Sequence, residues 1–468
     1  MEKSIEEITQ NLKSISEVNS ILIKMALEVA RKYYQRALEG LEEYLFRIRD
    51  KRLKVEHKRP VYFSFPLGDV QVERRHYLDA KWESHYLLDE MIGRVGKSPF
   101  TPELRETAVF LSTRLPFRQS AEILERCLPQ AALSHTTIHR LVRKIGRAKL
   151  AWEEAERKRV YERGEIPDSE ERVVSHLMVE ADGVNISLQR EKNSKAEIKV
   201  GIAYEGWEAV SKERYQVCRK TSYCALESEQ DFWENFSLKL AYKYNLPQIT
   251  HKVVGGDGAA WVKSGAELLA GRFQLDRFHL LRALRQALSQ QKYLIYPVYQ
   301  ACGEGNTLLA LTYLNKAKQA SRGEEREKIR QVINYLRFNL AGLKDYRLDL
   351  GAEGQALRRT GAIESNVDKL IANRMKKRGM SWTLAGAKLM ACLITVTHNG
   401  GLPEACHPDK LKGTVEISLK KIRRILVKNY KDTEQKWLQA SLPALQGPHA
   451  NRSWVKSLKR LAEVPLNV

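Results

Sequence analysis

Apolar residues recur at three- and four-residue steps near the start of the chain, which is the spacing of one face of an α-helix. The repeat predicts an amphipathic helix within residues 1–60, and its apolar positions are Ile5, Ile8, Leu12, Ile15, Leu22, Met25, Val29 and Tyr33. Two interpretations stay open. The apolar stripe packs against its own domain, or it forms a dimerisation seam with a second copy.

Alternating polar and apolar residues follow over 61–77, and a period of two predicts strands. Leu67-Gly68-Asp69 lies at the centre of this stretch and predicts the turn of a small β-hairpin region within residues 61–100. Seven basic residues precede it, between Arg47 and Arg59. They are interpreted either as a grip on DNA or as a solvated charged edge.

Residues 101–150 predict helices in the layout of a helix-turn-helix DNA-binding domain. One helix covers 117–126, Leu128-Pro129 interrupts it, and Ser134 caps the next helix over 136–145. Two helices and a turn also occur in many helical domains, so the layout alone leaves a purely structural role open. The candidate DNA contacts on the second helix are Ser134, His135, Thr137, His139, Arg140, Arg143 and Lys144.

The pattern from residue 174 to residue 275 predicts three strands, a helix, a strand, a helix and a last strand, which is the order of an RNase H-like sheet. The predicted strands cover 174–183, 196–204, 214–223, 249–257 and 272–275. The predicted fold class is therefore an α/β RNase H-like catalytic domain with an all-helical insertion. A mostly helical N-terminal DNA-binding region with a small β-hairpin precedes it.

The domain organisation follows from these patterns. Residues 150–170 are highly charged and predict a linker or a solvated helix, hence a domain boundary. The remaining predicted parts are a first catalytic segment over 171–282, a helical insertion over 283–355, a last catalytic segment over 356–400 with the Glu364 helix, and a basic helical C-terminal region over 401–468.

Composition adds the nature of the partner. The formal net charge is +22 and the sequence pI is about 9.6, which favours a polyanion, most commonly nucleic acid. An anionic membrane is the rival, but no apolar run is long enough to span one. The polar N-terminus lacks a secretory signal pattern, and six scattered cysteines contain no Cys-x-x-Cys pair. We therefore expect reduced thiols, no zinc site and a cytoplasmic protein.

Three carboxylates carry the candidate chemistry. Asp182 and Asp257 each end a predicted strand and precede a glycine, and Glu364 lies early in a helix. Three converging carboxylates suit two Mg²⁺ (or Mn²⁺) ions per active site. An Asp-Gly pair is also a common turn, and a helix-start Glu a common cap, so the hypothesis rests on their combined order. Later turns of the Glu364 helix carry further candidate DNA contacts, namely Arg374, Lys376, Lys377 and Arg378.

Four blocks of the chain resemble the bacterial ISLre-type insertion-sequence transposases, which are distant relatives of the Mutator-type transposases. The blocks are Val179-Glu-Ala-Asp-Gly-Val184, Val254-Gly-Gly-Asp-Gly-Ala-Ala-Trp261, Leu275-Asp-Arg-Phe-His-Leu280 and Gly361-Ala-Ile-Glu-Ser-Asn-Val367. The resemblance implies an RNase H-like domain with an Asp-Asp-Glu triad, and matching the blocks places that triad on Asp182, Asp257 and Glu364.

The third block departs from the relatives. Mutator-like enzymes have a Cys-x-x-His pair there, whereas this chain has Asp276-Arg-Phe-His279. Asp276 is thus a possible extra ligand or a rival for the second acid. We favour a supporting role for Asp276 and His279, with a structural pair at a helix start as the alternative. For Trp261 and Trp382, core packing is preferred to stacking on DNA bases.

Together with these patterns, the resemblance implies a DNA transposase that binds double-stranded DNA, both terminal inverted repeats and target DNA, in a bacterial, nucleoid-associated setting. Because two DNA ends must react together, a homodimer or higher homo-oligomer is expected. One rival is an RNase H-fold DNA nuclease or resolvase that cuts without strand transfer. Another is a non-catalytic transposase-derived DNA-binding protein.

Overall fold

The structure, a computed structural model, describes residues 15–94, 98–167 and 169–406. The start of the predicted first helix, residues 1–14, and nearly all of the predicted C-terminal region, residues 407–468, lie outside the described residues. The chain divides into two compact units, one built mainly from residues up to 104 with 125–132, and one from 105–124 with 133–406. None of the helices described is both long and apolar enough to cross a membrane.

The first unit is a helix packed on a long hairpin. Helix α1 covers Ile15–Ile48, β1 Lys54–Phe65, β2 Gly68–Leu78, β3 Ser84–His85 and α2 Leu87–Met91. Strand β1 pairs antiparallel with β2, and Phe65 faces Gly68, so the turn is Pro66-Leu67 and not the predicted Leu67-Gly68-Asp69. Within the predicted region 1–60, α1 ends at Ile48 and the hairpin already begins with β1 at Lys54.

The two halves of α1 have different surroundings. Leu38 and Leu45 in its second half are buried against hairpin residues that include Phe63 and Val72. In the first half, the large apolar side chains that are exposed among the described ones include Leu22, Ile23, Met25 and Val29. Packing on its own domain therefore describes the second half, and the dimerisation seam stays a prediction for the first.

The predicted helix-turn-helix elements are present in the structure. Helix α3 covers Pro102–Arg114, α4 Phe117–Cys127 and α5 His135–Tyr161, with a 3₁₀ turn at Pro129–Ala131 between the last two. The Ser134 side chain caps α5 by accepting a hydrogen bond from the Thr137 N–H at 3.1 Å, as its position before the helix predicted.

A mixed sheet forms the centre of the second unit. Its elements are β4 His176–Leu188, β5 Lys195–Tyr204, β6 Trp207–Ala209, β7 Tyr215–Val217, β8 Thr221–Ala225, α6 Glu229–Ala241, β9 His251–Gly256, α7 Ala260–Leu268 and β10 Arg272–Leu275. The strand order is β10-β9-β4-β5-β8. Strands β4, β9 and β10 are parallel, while β5 is antiparallel to both β4 and β8.

Two strand predictions are corrected. Strand β4 continues past Asp182 and Gly183 to Leu188, because residues 183–187 keep pairing with β5, so no turn follows Asp182. The predicted strand 214–223 is divided: β6 and β7 form a separate two-stranded ribbon, and only β8 joins the sheet. Both segments alternate polar and apolar residues, and that pattern does not say where a strand stops or which sheet it joins.

The faces of the sheet follow the two-residue period of β4. Leu177, Val179 and Ala181 point into a core that α6 and α7 fill with aromatic side chains. These include Trp233 and Trp261, and core packing is thus the observed role of Trp261. Glu180 and Asp182 alternate with the apolar set and face the opposite side.

Helices with their own apolar core follow the last strand, in the place predicted for the insertion. They are α8 Arg277–Ala287, α9 Ile295–Glu304, α10 Thr307–Ala320, α11 Gly323–Phe338, α12 Leu340–Leu343 and α13 Gly351–Ala356. The chain then returns to the sheet through α14 Ile363–Val367, a π-helical stretch Asp368–Lys376, β11 Ser381–Trp382, α15 Leu384–His398 and α16 Leu402–Cys406.

The structure also differs from the predicted boundary at 150–170. Helix α5 continues through this stretch to Tyr161 and belongs to the same compact unit as the sheet. Glu153 is buried and accepts from Lys239 of α6 at 2.7 Å, and Arg157 pairs with Glu234 at 2.7 Å. The charges that suggested a linker therefore join two helices of one unit.

Candidate metal centre and nucleic-acid interface

Strand register brings the two aspartates together. In the parallel pair of β4 and β9, Ala181 lies opposite Gly256, so the next residues, Asp182 and Asp257, leave the paired region side by side. Strand β9 ends there, whereas β4 continues. The edge of β4 beyond Asp182 is therefore open until β11 pairs with its last residues.

Asp257 begins a loop that the helical insertion supports. Its carboxylate accepts from the Ala259 N–H at 2.9 Å, and its carbonyl accepts from the Tyr335 hydroxyl of α11 at 2.7 Å. Gly258 has a φ of +93°, and a Cβ there would lie 2.5 Å from Asn339. A glycine is thus required after Asp257, as the Asp-Gly pattern predicted. Gly183 is different, since it is a strand residue that leaves room for the Glu197 carboxylate.

Glu180 attaches the Glu364 helix to the central strand. Its carboxylate accepts from the backbone N–H groups of Gly361 at 2.9 Å, Ala362 at 3.2 Å and Ile363 at 3.1 Å, and from the Tyr204 hydroxyl. Burial raises the pKa of Glu180, and these four donors oppose that rise. All four donors point at oxygens that act only as acceptors, and an ionised carboxylate has two such oxygens. The α14 N-terminus, and with it Glu364, is thereby held beside Asp182.

His279 completes the group. Its Nε2 lies 2.8 Å from Oε1 of Glu364, and single ligand atoms of Asp182, His279 and Glu364 all lie within 4.8 Å of one another. Despite that distance the buried Nε2 has no partner with hydrogen-bond geometry among the described residues. An uncommitted imidazole nitrogen beside two carboxylate oxygens is a donor set that fits a divalent cation.

Asp276 has a structural place. Its side chain is 1% exposed and caps α8 by accepting from the N–H groups of Phe278 and His279 at 2.7 and 3.2 Å. Its own N–H donates to the Gly256 carbonyl at 2.8 Å. Asp276 therefore orients the helix that carries His279, whereas Asp257 is the aspartate beside Asp182.

The electrostatics of the group are those of crowded acids. Burial raises the pKa of Asp182 to about 6, and the charges of Glu364 and Asp257 add to the rise. The Gly183 N–H and His279 act in the opposite direction. A carboxylate with a raised pKa beside two further acids is under repulsion that a cation would relieve.

Three other groups of acids and histidines in the described residues have ligand atoms equally close together. They are Glu56 with His57 and His76, Asp79 with Glu83 and His85, and His176 with His251 and Glu353. A further carboxylate also lies near one of these three groups, because Glu90 Oε1 is 3.7 Å from His85 Nδ1. Asp257 is not among the ligand atoms within 4.8 Å of one another at the Asp182 group, but its charge raises the pKa of Asp182. The acids at the Asp182 group come from the ends of two neighbouring paired regions and from a helix, and carboxylate oxygens are the donors that hard cations prefer.

Most of the candidate DNA contacts are exposed, either on α5 or around the end of the π-helical stretch. On α5, His135, His139, Arg140, Arg143 and Lys144 are exposed, Thr137 is half-buried, and Ser134 is the exposed cap. Lys376, Lys377 and Arg378 are exposed too, although Lys377 pairs with Asp368 and Arg378 donates to Gln119 at 3.2 Å.

Arg374 is corrected as a surface contact. It is 3% exposed, and its Nε donates to the Ser112 carbonyl at 2.7 Å. It lies in the π-helical stretch, and its i, i+4 spacing from Leu370 places it on the buried face with Ile371 and Met375, away from Lys376 and Lys377. The apolar residues around Arg374 therefore carried a signal for its inward direction, which its charge obscured.

Sequence reasoning missed Glu180, Tyr335 and Asn339. Glu180 had a signal, because an acid in the middle of an apolar strand, two residues before Asp182, must face the same side. Tyr335 and Asn339 had none, since only the fold of the insertion brings them to the Asp257 loop.

The fold and the site together define an α/β protein with a carboxylate-rich candidate cation centre where β9 ends beside β4 in the middle of a mixed sheet. The chain belongs to the family described as Uncharacterised protein family (UPF0236), whose model matches residues 8–410.

Similar proteins carry the same family name. The UPF0236 protein in vanSb 3′ region from Streptococcus gallolyticus is 27% identical over 408 residues, covering 85% of this chain and 86% of its own length. In Caldanaerobacter subterraneus subsp. tengcongensis, UPF0236 protein TTE2489 is 27% identical and covers 81% and 79%. Another from that strain, named with eleven designations from TTE0033 to TTE2212, is 26% identical and covers 85% and 80%.

The first prediction concerns the charge of Asp182. Its folded pKa is above its ordinary value of 3.8, so the metal-free folded state loses stability as pH rises from about 4 to about 6. At neutral pH without divalent ions, Asp182→Asn should raise the free energy of unfolding by roughly 1–2 kcal/mol, allowing for partial solvent screening. Urea unfolding in EDTA measures this.

The same variant should lose most of the stabilisation that Mn²⁺ gives the unaltered protein, because a ligand oxygen is gone. As an internal control, the difference in unfolding free energy between the variant and the unaltered protein in EDTA should disappear below about pH 4. There the Asp182 carboxyl is protonated in both the folded and the unfolded state. A variant that is no more stable in EDTA, and that keeps its full Mn²⁺ response, would show that Asp182 is not in a cation site.

The second prediction concerns Glu180. In Glu180→Gln, an amide NH₂ must replace one oxygen and then faces N–H donors of residues 361–363. Glu364 should shift, and Mn²⁺ affinity should fall about tenfold, a cost of about 1.4 kcal/mol. Isothermal titration with Mn²⁺ measures it.

Glu227→Gln is the matched control, because the Glu227 carboxylate also accepts from a tyrosine hydroxyl, that of Tyr223 at 2.9 Å. It should lose stability but keep its Mn²⁺ affinity. Equal Mn²⁺ affinities for the Glu180 and Glu227 variants would show that Glu180 does not position Glu364 for cation binding.

Proposed function

We propose that this protein is a metal-dependent DNA transposase of the Asp-Asp-Glu type, with Asp182, Asp257 and Glu364 as its acids. The observation that carries the proposal is their convergence from two adjacent strands and a helix that are far apart in the chain. Convergent carboxylates on rigid elements are what phosphoryl transfer with two bound cations requires.

The sheet supports the RNase H-like assignment. Three antiparallel strands are followed by two parallel strands, each after a helix, and the first strand lies at the centre of the order. This arrangement is the one that the RNase H-like hypothesis needs to place the acids of the first and fourth strands side by side. The helical insertion between the second Asp and the Glu agrees with the Mutator-like resemblance.

Each residue has a task in the proposed chemistry. Asp182, Asp257 and Glu364 would hold Mg²⁺ or Mn²⁺, with His279 contacting Glu364. Such ions lower the pKa of an attacking water or 3′-hydroxyl and stabilise the departing oxygen. Glu180 and Asp276 position Glu364 and His279 through backbone hydrogen bonds. The exposed cations of α5 would hold the phosphate backbone of the DNA.

The relatives add circumstantial support. One protein name from a single strain carries eleven designations, and others from it carry four and two. Repeated copies of one protein in a genome are what a mobile DNA element leaves behind. The charge of +22 also fits a DNA partner, both inverted-repeat ends and target. Joining two ends at once would require a homodimer or larger assembly.

The third prediction tests the activity. The substrates are duplexes carrying the DNA that flanks the gene, either intact or pre-cut to expose a 3′-hydroxyl, with a supercoiled plasmid as target and Mg²⁺ or Mn²⁺ present. Asp182→Asn, Asp257→Asn and Glu364→Gln should each lose about a thousandfold or more in cleavage and joining, since several kcal/mol of transition-state stabilisation is removed.

Glu267→Gln, an exposed acid on α7, is the control and should keep both activities. Full activity of Asp182→Asn would end the proposal. Cleavage of intact ends without joining of pre-cut ends would indicate a nuclease or resolvase, and DNA binding without either reaction would indicate a non-catalytic protein.

A further inference from the structure

A cavity of about 690 Å³ lies within the second unit, apart from the three acids. Its wall is formed by α5, the π-helical stretch, the end of β4, β11 and the start of α15. The volume is within the range of sites that enclose small organic molecules.

The cavity is rich in unpaired positive charge. Arg143 and Arg147 of α5, Arg190 after β4, and Arg374 all line it. Within the described residues, none of the four has a carboxylate oxygen within the 4.0 Å of an ion pair. Arg143, Arg147 and Arg190 are exposed and Arg374 is buried, and four guanidinium groups around one cavity favour a bound anion.

Arg374 is the strongest argument for a bound anion, because only 3% of its surface is exposed. Two of its guanidinium nitrogens contact the Ser112 carbonyl at 2.7 Å and the Met380 sulfur at 3.2 Å. Burial lowers the pKa of Arg374 to about 10, so it is still charged at neutral pH. A buried charge without a counterion is costly, and a bound anion would remove that cost.

A small inorganic anion would contact the arginines but not the apolar side of the cavity. The cavity also has an apolar side that includes Phe117, Trp382 and Met390. The Arg374 guanidinium carbon lies 5.1 Å from the centroid of the Trp382 ring and 5.7 Å from that of Phe117. Aromatic groups beside cations are the combination that binds a nucleobase together with its phosphate.

The same elements carry the cavity and the acids. Strand β4 contains Asp182 and leads to Arg190, about 26 Å away along an extended chain. The helix that begins near Glu364 runs without a break into the stretch that contains Arg374. DNA bound at the acids would therefore have nucleotides a few positions away from the reacting phosphate beside the cavity.

We propose that this cavity binds one unpaired nucleotide of the DNA substrate, with its phosphate on the four arginines and its base against Phe117 and Trp382. The proposal rests on the proposed function for the identity of the polymer. A phosphate of intact duplex would use the arginines but not the apolar wall.

The fourth prediction is a preference for single-stranded extensions. The full chain is titrated, by fluorescence anisotropy, against a blunt duplex and against the same duplex with a short single-stranded DNA extension, with Ca²⁺ in place of Mg²⁺ so that cutting does not interfere. The extended duplex should bind about tenfold tighter, the worth of one stacked base.

Two variants remove that preference by different means. Arg190→Gln removes a charge at an exposed position, and Ala385→Trp, also exposed, fills the cavity without changing charge. Both should bring the ratio of the two affinities close to one. Arg326→Gln, an exposed arginine of the insertion that does not line the cavity, should keep the tenfold ratio. Circular dichroism melting shows that each variant is folded.

An affinity ratio near one for the unaltered protein, or a ratio that survives both variants, would overturn the proposal. Loss of the preference with Arg190→Gln but not with Ala385→Trp would also overturn it, in favour of a phosphate contact with the extension outside the cavity. An RNA extension that binds tighter than the DNA one would overturn the assignment to DNA. The binding assay measures no reaction, so its result is independent of the joining assay. A protein that joins DNA ends without preferring the extended duplex loses only the cavity proposal, and one that prefers the extended duplex without joining ends loses only the proposed function.

Discussion

The candidate centre depends on the hydrogen bonds between the Glu180 carboxylate and three consecutive N–H groups at residues 361–363. They join the central strand to a helix that follows more than seventy residues of insertion, and they do so two residues from Asp182. Without them, neither local propensity nor strand pairing would bring Glu364 to the aspartates. Their geometry suits a buried carboxylate, because every donor is itself held by the fold.

Two charged groups of opposite sign remain without adequate protein partners. The acids around Asp182 repel one another, and Arg374 is buried without a carboxylate. A fold selected only for stability would avoid both, since each lowers the free energy of unfolding. Their presence in one unit is understandable if the ligands are a cation at the first place and the phosphate of a nucleic acid at the second.

Much of this could be predicted from local pattern. Apolar runs located β4 and β9, and the strand-Asp, strand-Asp, helix-Glu order identified Asp182, Asp257 and Glu364 before any register was known. The inward direction of Arg374 was missed because its charge suggested a surface contact, although the helical spacing places it on one face with the buried Leu370, Ile371 and Met375. The length of β4 was missed because Gly183 suggested a turn, but pairing with β5 overrides that local preference. Long-range pairing decided the second outcome.

Cleavage of the polypeptide by bound iron shows whether the three acids and His279 surround one cation. Fe²⁺ accepts carboxylate and imidazole ligands, and with ascorbate and peroxide it cuts the backbone beside its site. We expect cuts around residues 182, 257, 279 and 364, suppressed by excess Mn²⁺ and absent in Asp182→Asn. Cuts confined to the neighbourhood of His176, His251 and Glu353, or no site-specific cuts, would contradict this expectation.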